Sequence, residues 1–160
     1  MREVLRAVTK NERETRKLAE LLAREILKLK LKRAVVVGLQ GELGAGKTAF
    51  AKGFAEGLGL KEEMTSPTFI LMRAFMIPRT PKHFFHFDAY RIKSAKEFSS
   101  LGFNKLLKNP FNILLIEWSE RVKKLLPKNY FLLTFRVLTS GPPDLLAWRG
   151  KSLREIKLLV

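Results

Sequence analysis

The stretch Gly41-Glu42-Leu43-Gly44-Ala45-Gly46-Lys47-Thr48 fits G-x-x-x-x-G-K-[ST] at every specified position, and the chemistry of that spacing is phosphate binding. A triphosphate needs many donors converging from backbone that approaches closely. Glycines at 41, 44 and 46 permit the approach, and consecutive N–H groups turned inward make an anion-binding nest. Lys47 would bring a compact positive charge to the β- and γ-phosphates, and the Thr48 hydroxyl is a ligand for Mg²⁺. Asp88 and Glu117 suit the same chemistry. A carboxylate beside bound phosphates holds Mg²⁺, directly or through water, or orients an attacking water.

Such a site needs particular elements around it. Residues 34–39, Ala-Val-Val-Val-Gly-Leu, read as a short strand buried on both faces. After the loop, Phe50, Phe54 and Leu58 recur at helical spacing, and Gly59 offers a stop. Thr48 and Ala49 then lie in the first turn of a helix, whose unpaired N–H groups and positive dipole end favour an anion. Residues 83–88, His-Phe-Phe-His-Phe-Asp, form an aromatic strand ending in Asp88, and residues 111–116 form a buried strand that delivers Glu117 and Trp118. In an open parallel sheet, ligands gather outside the carboxyl ends of strands. His86 alternates with aromatic neighbours and reads as a packed core imidazole rather than a ligand.

The remaining elements follow by pattern. Residues 4–8 read as a weak strand. Asn11 and Glu14 form an N-cap and capping box for a helix with Leu18, Leu21, Leu22, Ile26 and Leu29 on one face. Pro67 pushes Ser66 toward extended backbone. The segment Ser66, Pro67, Thr68 and Phe69 enters a strand that runs on to Met72, where nucleotide switch segments commonly lie. Residues 76–82 read as a loop, and Ser94 with Glu97 caps a short helix ending at Gly102. Residues 130–138 are a strand, and the tail to Val160 reads as a last strand or hairpin on one edge. The expected fold is α/β, a three-layer sandwich of the P-loop NTPase kind with a mostly parallel central sheet and antiparallel edge strands. One domain is expected over residues 1–160.

Composition narrows the function classes. The chain has 160 residues, 46% of them hydrophobic, and no apolar run near the ~20 residues of a membrane span, so a cytoplasmic location is expected. The absence of Cys excludes disulfides, thiolate metal sites and a Cys nucleophile, and two His are too few for a His-rich zinc site. Net charge is +16, from 31 Lys plus Arg against 15 Asp plus Glu. By segment, residues 1–33 carry +6, 34–72 carry −1, 73–108 carry +6, 109–118 carry −1 and 119–160 carry +6. The phosphate loop is thus nearly neutral, and the excess lies on the elements around it. Two readings fit: contact with an acidic partner such as RNA or an acidic protein, or a Lys-rich surface that is merely solvated.

With these residues placed, the chain resembles the TsaE (YjeE) family, small ATPases of bacterial tRNA threonylcarbamoyladenosine biosynthesis. The resemblance runs from about Thr15 through Val137. It rests on G-E-L-G-A-G-K-T at 41–48, S-P-T-F at 66–69, H-F-D-A-Y-R at 86–91, E-x-x-x-L-G ending at Gly102 and I-E-W-S-E at 116–120. Carried over, it implies ATP phosphates on Gly41 to Thr48, Mg²⁺ on Thr48 and Glu117, and a role for Asp88 in hydrolysis. It also implies a switch-like segment at Ser66 to Phe69, Trp118 near the nucleotide, and Thr15 toward the adenine side. Ala89 and Ser119 depart from the family's usual Leu and Pro. The resemblance implies TsaB- and TsaD-type partners, which carry out the transfer chemistry on tRNA while ATP hydrolysis resets the complex, and an isolated activity that is slow.

Three rival readings share the phosphate loop. A small-molecule kinase needs an acceptor pocket and commonly an Arg-rich lid, and no clear lid segment is present. A GTP switch needs N-K-x-D, approached only by Asn104-Lys105-Leu106-Leu107, where Leu107 has no carboxylate to read guanine. The third is a nucleotide-regulated RNA- or protein-binding module.

Overall fold

The computed structural model describes residues 1–61, 71–138 and 153–160. Among the described residues seven strands form one sheet: β1 (Glu3–Thr9), β2 (Val35–Gly41), β3 (Met72–Met76), β4 (His83–Asp88), β5 (Asn112–Glu117), β6 (Phe131–Leu138) and β7 (Leu153–Leu159). Their spatial order is β1-β7-β6-β2-β5-β4-β3. The central four, β6, β2, β5 and β4, are parallel, while β3 on one side and β7 and β1 on the other run antiparallel to their neighbours. The expected architecture is therefore present. The tail differs in position: β7 lies inside the sheet between β6 and β1, and the N-terminal strand is the edge.

Period-two alternation explains why the strands have two faces to bury. On β2, Val35, Val37 and Leu39 enter one core with Ile113 and Leu115 of β5, while Val36 enters the other with Leu114 and Ile116. Helices α1 (Glu12–Lys28) and α2 (Lys47–Gly57) cover the first core. The second is covered by α3 (Ala95–Ser100), α4 (Phe103–Leu107) and a 3₁₀ segment at Ser119–Leu125. Asn11 caps α1 as expected, accepting from Glu14 N–H at 2.9 Å. The helix expected to end at Gly102 stops at Ser100. Gly102, at φ +80°, then starts a second short helix that has too few residues to show a period. Strand β3 begins at Met72, after Leu71 at φ +62°; residues 69 and 70 of the expected strand, like the whole 66–69 segment, lie outside the described residues. Among the described residues, no helix is long and apolar enough to cross a membrane.

The pairing of α1 with α2 sets where the phosphate loop's helix lies, and glycine makes it close. A Cβ on Gly53 would fall 2.3 Å from Arg16 O, and one on Gly57 2.4 Å from Glu20 O. These positions are one turn apart on the same face of α2, facing positions one turn apart on α1. Gly53→Ala is expected to destabilise the protein by about 2 kcal/mol, because the clash is with rigid backbone and outweighs the ~1 kcal/mol that Ala gains over Gly in a helix. A urea midpoint at or above the parent's, with unchanged m-value, would contradict this close packing.

Candidate functional site

The loop between β2 and α2 has the shape its glycines permit. Gly44 and Gly46 stand at φ +77° and +105°, in the region that side chains with a Cβ avoid. Ala45 N–H donates to Glu42 O at 3.2 Å, closing the turn, and Phe50 N–H to Gly46 O at 2.9 Å, starting the helix. Gly46 caps α2 without any side chain covering its first N–H groups, an arrangement that suits an anion. Leu43 projects outward at 80% exposure, leaving the loop's backbone rather than its side chains to line the inner surface.

Lys47 is buried at this helix start. Its ammonium donates to Gly41 O at 2.6 Å and Glu42 O at 2.8 Å, and it sits 3.7 Å from the centroid of the Trp118 ring. Burial pushes it below the usual lysine range, against the pull of Glu117, Glu120 and Asp88. Three carboxylates thus converge electrostatically on one cation.

Parallel pairing of β4 with β5 brings the two strand-end acids together: Asp88 lies opposite Glu117 in register. Both are buried. Glu117 Oε2 accepts from Thr48 Oγ1 at 2.9 Å, so the two residues expected to share a cation are neighbours across β5 and α2. Its other oxygen, Oε1, lies 2.9 Å from His86 Nε2. Asp88 Oδ1 accepts from Tyr90 N–H at 2.9 Å, which fixes the carboxylate at the turn out of β4.

His86 was expected to be a packed core imidazole. It is buried and stacks beside Phe84, but it also hydrogen-bonds Glu117, which fits the Nε2–H tautomer donating to a carboxylate. No partner for Nδ1 occurs among the described residues. Sequence reasoning also assigned no role to Glu120, whose charge acts on Lys47 from the first turn of the 3₁₀ segment. Its position three residues after Glu117 was the available signal.

Trp118 leaves β5 with φ +58°, and this left-handed turn carries its ring over Lys47. Tyr90 packs on it with ring centroids 5.0 Å apart. Thr15, buried in α1, has its hydroxyl 2.8 Å from that of Thr9, and its methyl lies 3.8 Å from where a Cβ on Gly46 would stand. It therefore flanks the phosphate loop. Ala49 is in the first turn of α2. The structure brings Gly41 to Ala49, Thr15, Asp88, Glu117 and Trp118 to one end of the sheet; Ser66, Pro67, Thr68 and Phe69 lie outside the described residues.

The donor set fits Mg²⁺. Thr48 and Glu117 offer hard oxygen atoms side by side, and Mg²⁺ commonly takes one or two such protein ligands, completing its shell with phosphate and water.

Residues 9–141 match a family model described as Threonylcarbamoyl adenosine biosynthesis protein TsaE. A tRNA threonylcarbamoyladenosine biosynthesis protein TsaE from Treponema pallidum is 41% identical over 111 residues, covering 69% of this chain and 79% of that protein. The protein of the same description from Bacillus subtilis is 36% identical over 120 residues, covering 75% and 70%. The crystal structure of Bacillus subtilis YdiB superposes with TM-score 0.70 at 27% identity, covering 99% of this chain and 86% of that one.

Proposed function

The chain belongs to the TsaE family, and from that premise we propose that it is a Mg²⁺-dependent ATPase supporting threonylcarbamoyladenosine formation on tRNA, together with TsaB- and TsaD-type proteins. The observation that carries the reading is the meeting of Thr48 and Glu117 at 2.9 Å beside the Lys47 loop. A glycine-rich turn that matched the motif by accident would have no reason to place a strand-end carboxylate on that hydroxyl.

In this reading, the N–H groups of residues 41–48 and the start of α2 cradle the triphosphate. Lys47 offsets charge on the β- and γ-phosphates, and Trp118 and Thr15 bound the space beside them. Thr48 and Glu117 would hold Mg²⁺, which when bound would neutralise charge on the phosphate oxygens. Asp88, fixed by Tyr90 N–H, orients a water toward the γ-phosphorus. The water oxygen forms a bond to that phosphorus as the bond to the β–γ bridging oxygen breaks, releasing ADP, phosphate and the water's proton. Ser66 to Phe69 would act as the switch-like segment. An RNA contact through the basic surface fits the same pathway.

The test is ATP hydrolysis by the purified protein with Mg²⁺, alone and with TsaB- and TsaD-type partners plus tRNA. Slow turnover alone, stimulated by the partners and required for repeated tRNA modification, is the expected result. Turnover indifferent to the partners but raised by a small phosphoryl acceptor would make the protein a kinase instead.

A further inference from the structure

The phosphate loop occupies one end of the parallel strands, and the opposite end holds a concentration of charge. Four segments enter β2, β4, β5 and β6 there: residues 29–34, 77–82, 105–111 and 122–130. They carry three, two, two and three Lys or Arg, and none carries Asp or Glu. Hydrogen bonds hold three of the segments side by side. Ala34 N–H donates to Leu107 O at 3.0 Å, His83 N–H to Phe111 O at 2.9 Å, and the Lys82 ammonium to Leu27 O and Leu29 O at 2.7 and 2.8 Å. A cleft of about 320 Å³ joins the fourth, running between residues 31–36 and 129–131.

This charge lacks the acidic partners that four of the five basic residues of α1 have. On α1, Arg16 pairs with Glu56, Lys17 and Arg24 with Glu20, and Lys28 with Glu25. At the sheet edge Glu3 pairs with Lys157. No Lys or Arg of the four segments forms an ion pair among the described residues, and Lys30, Lys32, Arg33, Lys108 and Lys128 are exposed. Burial first, and the charge of Lys30 second, hold Lys82 below the usual lysine range, as crowded like charges should. A surface that was merely Lys-rich would mix signs here as it does on α1.

We propose that this end of the sheet is an RNA-binding face, with phosphate backbone across Lys30, Lys32, Arg33, Lys108 and Lys128 and an unpaired base in the cleft beside Tyr130. Strands about 4.8 Å apart spread the four segments over roughly 15 Å, enough to meet several successive phosphates. The cleft distinguishes RNA from an acidic polypeptide. Its lining includes Leu31, Tyr130 and Phe131 together with Lys32, Arg33 and Asn129, a combination that offers a base both a stacking surface and hydrogen bonds.

The choice of RNA among polyanions rests on the cleft and on the proposed pathway; the position of the face rests on neither. The experiment is fluorescence anisotropy of fluorescein-labelled bulk tRNA with the full chain, over a salt series, for wild type and two triple variants. Lys30→Gln/Lys32→Gln/Arg33→Gln is expected to raise Kd roughly tenfold at moderate salt and to flatten the log Kd against log salt slope by about two. Arg13→Gln/Lys17→Gln/Arg24→Gln removes the same charge from α1 and is expected to bind like wild type. Equal loss in both variants, or none in the first, overturns the face. Poly-L-glutamate bound more tightly than tRNA, and lost in the first variant, would reassign it to an acidic protein and overturn the RNA assignment. ATP hydrolysis by the same proteins is a separate reading: its absence in wild type would sink the ATPase proposal while leaving the tRNA data to judge this one.

Discussion

Lys47→Met is expected to leave the protein folded and to cut the proposed ATP hydrolysis by a factor on the order of 10²–10³, the usual effect of removing one preorganised charge from a transition state. The two halves of this expectation have different causes. In the folded protein the ammonium is nearly buried, and its desolvation outweighs the attraction of Glu117, Glu120 and Asp88. Removing one partner of a buried charge cluster usually destabilises, but here the cost of burying the ammonium goes with it, Glu117 keeps Thr48 and His86, and Asp88 keeps Tyr90 N–H. The carbonyls of Gly41 and Glu42 lose a donor, but neither residue is buried, so water replaces it. Hydrolysis has no such substitute, since a methionine cannot neutralise charge on the γ-phosphate as it departs. The check is a thermal melt beside a single-turnover assay. Hydrolysis within a few-fold of wild type would remove Lys47 from the chemistry, and a collapsed melt would mean that its role is structural.

The phosphate loop could be read from the chain because its chemistry is local. Gly41 to Thr48 are consecutive, and their conformations are set by residue type at each place. Glu117 was legible for a similar reason: an apolar run ends there, and strand ends in a parallel sheet face the ligand. The bond from His86 to Glu117 was not legible. It joins neighbouring strands diagonally, since His86 is in register with Leu115, two residues before Glu117. Knowing that β4 lies beside β5 is a prerequisite for seeing it, and the order of strands in space is not written in any local pattern.

The same reason accounts for the tail. The tail reads as a last strand or hairpin from its mix of basic and aliphatic residues, but the place of β7 between β6 and β1 depends on a partner more than a hundred residues away in the chain. Trp118 was placed beside the nucleotide by resemblance alone; that its ring would cover Lys47 follows from a left-handed backbone at a bulky residue, which sequence pattern does not predict. The basic end of the sheet shows a middle case. Segment charges revealed three positive blocks, yet only the parallel order of β6, β2, β5 and β4 gathers parts of each into one face.

Glu117→Gln should lower hydrolysis on the order of 10²-fold or more and raise the Mg²⁺ needed for half-maximal rate, with little change in stability. Glutamine fills the same volume, and its two polar atoms still find partners. If its oxygen keeps the His86 Nε2–H, its NH₂ group faces Thr48, whose hydroxyl turns from donor to acceptor. That exchange is what harms the site. A nitrogen carrying two hydrogens now stands where a charged oxygen did, so both the negative charge and the lone pair are lost at the position that would meet Mg²⁺. His86→Asn tests the layer behind it. The carboxylate remains but loses its orienting donor, and such supporting residues typically cost 10–100-fold in metal affinity or activity. The expected order of harm is therefore Glu117→Gln above His86→Asn, with the Mg²⁺ midpoint raised in both. A Glu117→Gln protein with the parent's Mg²⁺ titration would remove Glu117 from the metal. A His86→Asn protein that melted early yet kept the parent's Mg²⁺ midpoint would return His86 to the role of a packed core imidazole.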